Sequence, residues 1–179
     1  MEDRNALPMG KGTLWATVLL VLLYLSSASS LLWYAPQWLS YYNLLVGGLP
    51  GATALGMEPT YYWDALDQSV LDWLNEHTAA DQKIWFAAAS EENLELMQRW
   101  GVLRRATSIE APGRFRWYVL QRRPSGLQEA DLWLIAHYEP AFTKKVRSGG
   151  VGPWRLDVPL VEVYSCRDAV QAAKAAKHQ

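Results

Sequence analysis

The chain has 179 residues, half of them hydrophobic, and a formal net charge of −1. That length accommodates one membrane segment and one soluble domain, and the near-neutral balance excludes a charge-driven partnership with nucleic acid. Cys166 is the only cysteine, so an internal disulfide is excluded and cysteine usage does not identify the compartment.

Residues 1–12 read as a short cytoplasmic segment, mixed in charge and interrupted by Pro8, Gly10 and Gly12. Thr13 to Trp33 then carries no charged residue, and as a helix its 21 residues cover roughly 31 Å, about the thickness of a bilayer's hydrocarbon core. The sequence predicts a transmembrane helix over 13–35. Trp15 at one end and Trp33, Tyr34 and Trp38 at the other suit membrane-interface anchors. A buried core helix is one alternative, although such helices are usually shorter. A signal peptide cleaved after the small residues Ala28-Ser29-Ser30, releasing a secreted α/β domain, is another. Apolar character resumes at Leu31-Leu32-Trp33 and the preceding segment is weakly basic, which favours the span. Arg4 and Lys11 precede it and the next basic residue is Lys83, so the amino end is expected inside and the remainder outside.

Residues 36–63 form an aromatic, Gly- and Pro-rich juxtamembrane segment whose only charge is Glu58. Repeated Pro and Gly forbid one long helix. Its apolar residues, Trp38, Leu39, Tyr41, Tyr42, Leu44 and Leu45 among them, are expected at the headgroup layer, and Gly47-Gly48 and Pro50-Gly51 turn the chain away.

An extracytoplasmic α/β domain is expected over 64–179. Leu66, Val70, Trp73 and Leu74 have the spacing of a helix with one buried face, with Asp64 and Asp67 near its start. Lys83–Ala88 reads as a buried strand, Ser90 caps a helix ending at Gly101, and Phe115–Gln121 reads as a strand. Leu127–His137 is a third helix, Ala141–Val146 and Leu160–Ser165 are strands of a hairpin, and Asp168–Lys177 is a terminal helix. This alternation predicts a small α/β layer sandwich.

The residues alone display no catalytic centre. His77, His137 and His178 have no metal-ligand spacing, Cys166 lacks a nucleophile's partners, and the glycines at 47–51 are not followed by the Lys-Ser/Thr of a phosphate loop. No metal and no cofactor is implied. Arg104-Arg105 and Arg122-Arg123 read as solvated strand or loop ends, with lipid phosphate the alternative. Glu58 and Asp64 flank Tyr61-Tyr62-Trp63, and acids beside aromatic rings suit sugar recognition, although Asp64 as a helix cap explains it more simply.

Leu39-Ser40-Tyr41-Tyr42-Asn43, followed by Gly47-Gly48, Gly51-Ala52, Gly56, Glu58 and Tyr61, resembles the junction after the last membrane helix of bacterial family-39-type GT-C polytopic glycosyltransferases. These are related to protein O-mannosyltransferases and the lipid A aminoarabinose transferase. Tyr118–Arg123 and Val158–Tyr164 are similar to strands of their terminal domain. The resemblance implies transfer of a sugar from a polyprenyl-phosphate carrier at the outer face of the bacterial inner membrane. It places the essential acids in an early loop with no counterpart in these residues, so no catalytic residue is carried over and the chain alone is expected to be inactive. The implied partners are the lipid bilayer, the catalytic membrane core and, in the intact enzyme, the polyprenyl-phosphate sugar. Tyr41, Tyr42, Asn43, Glu58, Tyr61, Tyr62 and Asp64 are the candidate lipid or substrate contacts. A membrane-tethered binding or assembly protein without transferase ancestry is the alternative.

Overall fold

A computed structural model describes residues 11–33, 40, 42, 46–60, 65–87, 90–108, 115–147 and 157–177, with only the backbone described for 30–33, 108 and 147. Helix α1, Lys11–Trp33, is the expected apolar helix, and it begins two residues earlier than predicted because Lys11 and Gly12 join it. Within it, Lys11–Ser29 is long and apolar enough to cross a membrane. Leu19 and Leu20 are 59% and 66% exposed, so this is not a core helix. Thr17 Oγ1 donates to the carbonyl of Thr13, and Ser26 and Ser29 donate to those of Leu23 and Ser26, which satisfies these hydroxyls without a neighbour.

The rest is mixed α/β. In chain order come α2 (Gly48–Ala54), α3 (Gln68–His77), β1 (Lys83–Phe86), α4 (Glu91–Arg99), β2 (Ala106–Ser108), β3 (Phe115–Gln121), α5 (Glu129–His137), β4 (Phe142–Arg147), β5 (Asp157–Ser165) and α6 (Cys166–Ala176). The five strands form one sheet in the order β2-β1-β3-β5-β4. β1 runs parallel to β2 and β3, whereas β5 is antiparallel to β3 and β4. The expected hairpin of the last two strands is present, with Phe142 opposite Val163 and Arg147 opposite Asp157. Its outer strand carries Lys144 and Lys145, charges that discourage a further strand from pairing there.

Alternation along the strands divides the core in two. Ile84 and Phe86 of β1, Trp117 and Val119 of β3, and Val161 and Val163 of β5 pack with Leu49 of α2, Val70 and Leu74 of α3, and Leu94 of α4. Tyr118 and Leu120 of β3 and Tyr164 of β5 pack with Leu134 of α5 and Ala169 and Ala172 of α6.

Local signals fix the helix starts. Asp67 caps α3, accepting from the amides of Ser69 and Val70. Ser90 caps α4 as expected, and Gly101 ends it at φ 71°. Ser165 caps α6, which therefore starts two residues before the predicted Asp168.

Two elements differ from expectation. β2 is a three-residue strand, Ala-Thr-Ser, too short for a periodic signal. α2 lies where glycine and proline pointed only to turns. Pro50 falls in its first turn, where no amide bond is lost. Gly47 and Gly48 take φ 79° and 65° to start it, and a Cβ on Gly51 would lie 1.9 Å from the Val46 carbonyl oxygen. Part of segment 36–63 thus packs on the domain: Ser40, Leu49, Ala52 and Thr60 are fully buried, and Leu49 shares its core with Ala65 and Leu66.

Candidate functional site

The polar groups converge where β3 ends, around Arg122 and Arg123. These two residues follow Gln121, the last of the strand, and their guanidinium groups find different carboxylates. Arg122 lies 2.7 Å through Nε from Glu162 Oε2 and donates from Nη2 to Oε1 at 3.1 Å. Tyr164 donates to the same Oε2 at 2.9 Å. Glu162 is buried, and the ion pair with Arg122 and the bonds from Arg122 and Tyr164 offset the cost of taking its carboxylate out of water.

Arg123 instead reaches Glu58, with Nε 3.3 Å from Oε2, while the amide of Ser125 donates to Oε1 at 2.9 Å. Tyr42 donates to the Glu58 carbonyl at 2.6 Å. Burial pushes the Glu58 carboxyl up, but the bonds from Ser125 and the bond and charge of Arg123 outweigh it and hold the group below its ordinary value. Both arginines, expected as solvated ends, are ion-paired.

A second buried carboxylate, Asp131, accepts from the Tyr118 hydroxyl at 2.6 Å and from the Gln128 amide at 2.9 Å. Burial first, then the bond and charge of Asp131, pushes the Tyr118 phenol up. Burial, followed by the charge and bond of Glu162, does the same to Tyr164 despite the opposing charge of Arg122. Both phenols stay neutral at physiological pH and serve as donors, not bases.

A surface groove of about 440 Å³ lies between α5 and the end of α6, lined by Glu129, Leu132, Trp133, Ala136, His137 and Ala176. The His137 ring stacks on Trp133 at 3.9 Å, and its Nδ1 bonds the Trp133 carbonyl. His77 repeats the arrangement on Trp73 at the end of α3. The helix-end position expected for both histidines is where they lie. Cys166 is a half-buried free thiol at the β5–α6 junction. Among the described residues no group of three or more His, Cys, Asp or Glu could hold a metal ion.

Of the residues singled out from the sequence, Tyr42 and Glu58 come together, as a tie between the juxtamembrane segment and the loop after β3. Trp15 is exposed on α1. Tyr34, Trp38, Tyr41, Asn43, Tyr61, Tyr62 and Asp64 lie outside the described residues, as does the side chain of Trp33. Sequence reasoning missed Glu162, Asp131, Tyr118 and Tyr164 as polar centres, because their partners are distant in the chain or read as core. Comparison with protein families, with curated proteins and with solved structures gave no match.

Proposed function

We propose that the chain is the C-terminal region of a family-39-type GT-C glycosyltransferase, with α1 as a membrane span followed by an extracytoplasmic α/β layer sandwich. In this reading the amino end is cytoplasmic and the domain periplasmic at a bacterial inner membrane. The domain braces a catalytic membrane core that takes its sugar from a polyprenyl-phosphate carrier, and it performs no transfer itself.

The observation that carries the reading is the junction. Gly47, Gly48 and Gly51, Tyr42 and Glu58, the positions on which the resemblance rests, together seat the segment after the span against the sheet. That is the work of a brace: the Glu58 carboxylate is held by Arg123 and Ser125. A membrane-tethered binding protein is the second reading, favoured by the Trp133 groove, where an aromatic ring lies beside the Glu129 carboxylate.

Reconstituting the chain with a polyprenyl-phosphate sugar donor tests the first reading. The chain alone should transfer nothing. Added to a GT-C membrane core stripped of its own terminal domain, it should restore transfer. Transfer by the chain alone, or no restoration with the core, would overturn the proposal.

A further inference from the structure

The stretch that leaves α2 has a feature that burial does not explain. Ala54, Leu55, Gly56 and Met57 are four consecutive exposed residues without a polar side chain, Leu55 at 68% and Met57 at 39% exposure. They are not a loose loop. The Met57 amide donates to the Ala52 carbonyl at 2.9 Å and the Gly56 amide to that of Thr53 at 3.0 Å, with Gly56 at φ 77°. This paired closure is a Schellman turn, and it normally turns its apolar residues inward. Here the chain that follows is anchored, with Glu58 paired to Arg123 and Pro59 and Thr60 buried, so the turn is an exposed apolar knuckle on a fixed base.

The sequence leading to it contains no Asp, Glu, Lys, Arg or His from Gly12 to Met57. The uncharged run therefore continues well past the 23 residues of α1 and ends at this knuckle, where Glu58 is the first charge. Burial of Leu49 and Ala52 explains only its middle. We infer that the Leu55–Met57 knuckle is a second membrane contact, inserting into the boundary between headgroups and acyl chains. This rests on reading α1 as a span, since the chain from Trp33 to Val46 reaches at most about 45 Å and holds the domain near the bilayer. Tethering of that kind raises the effective concentration of the knuckle at the lipid surface, so a small apolar contact is enough to orient the domain. The cation paired next to the turn, Arg123, is engaged by Glu58. The contact is therefore apolar in kind and indifferent to anionic lipid.

The test uses the full chain in phosphatidylcholine vesicles, with Cys166→Ser removing the native thiol. A polarity-sensitive probe is attached at Leu55→Cys, at Met57→Cys as a second reporter, at Leu19→Cys on α1, and at Glu92→Cys as an aqueous control. Quenching by lipids with nitroxides at a shallow acyl position should be severalfold stronger at residues 55 and 57 than at 92. Added phosphatidylglycerol should leave it unchanged. Quenching at 19 with aqueous behaviour at 55 and 57 would overturn the knuckle and leave the span standing. Aqueous behaviour at all sites would overturn both. Quenching at 55 and 57 without 19 would support the knuckle on its own. Quenching that requires phosphatidylglycerol would overturn the apolar contact in favour of electrostatic adhesion.

Discussion

The two faces of the sheet solve the same problem differently. Against α2, α3 and α4 the packing is by aliphatic and aromatic carbon: Leu49, Val70, Leu74, Ile84, Phe86 and Leu94 are almost wholly removed from solvent. Against α5 and α6, Leu134 of α5 meets small residues of α6, Ala169 and Ala172, and the remaining space is filled in part by Tyr118 and Tyr164, which bring hydroxyls into the interior. Those hydroxyls need acceptors, and Asp131 and Glu162 supply them. Glu162 in turn needs a cation, which is Arg122. One face is held by area removed from water and the other by a chain of obligations among polar groups.

The largest expected effect of breaking this contrast is on the apolar face. Phe86→Ala should destabilise the chain by about 3–5 kcal/mol through lost transfer energy and a cavity. Urea unfolding in detergent measures it. On the other face, Glu162→Ala should cost about 3 kcal/mol by leaving Arg122 half-buried without its partner. Replacing both members, as Arg122→Met with Glu162→Leu, should recover part of that loss, the remainder being the Tyr164 hydroxyl left without its acceptor. A double variant no more stable than the single one would show that the pair is not a coupled unit. Tyr118→Phe should cost about 1.5 kcal/mol, the value of a hydrogen bond to a charged group, and should leave the Phe86 face untouched in hydrogen exchange.

The smallest effect lies at the rims of the sheet. Glu58 is held below its ordinary value of 4.5, burial opposing and Ser125 and Arg123 prevailing. Asp67 is held below 3.8, burial opposing and Lys144, Ser69 and the Val70 amide prevailing. A depressed carboxylate contributes stability that is complete above its unfolded value and is withdrawn as pH falls through its folded one. Stability should therefore be flat near neutrality and decline below about pH 4.5, by roughly 1 kcal/mol or less for each partly solvated pair. Glu58→Gln should shallow that decline, as read from unfolding midpoints across a pH series.

Much of the fold was legible because its signals are local. Ser90 before Glu91-Glu92, Gly101 after the helix, and the β-branched and aromatic run at Phe115–Gln121 each state an element within a few residues. α2 was not legible, since Pro50 and three glycines argue against a helix until the first turn and the Val46 carbonyl are known. Asp67 was seen near a helix start, but its tie to Lys144 on β4 was not. Candidate site residues fared less well: Glu58 drew attention as an acid near aromatic rings, whereas its partners lie beyond β3.

By itself the sequence determined the long apolar helix, the order of most helices and strands, and their buried faces, because periodicity and capping act between near neighbours. Only the tertiary structure decided which strand lies beside which, that the segment at Leu49 belongs to the domain, and that Arg122 and Arg123 serve two different carboxylates. Those outcomes depend on groups brought together from 40 and 65 residues apart, and charge pairing over such separations leaves no mark in a local pattern.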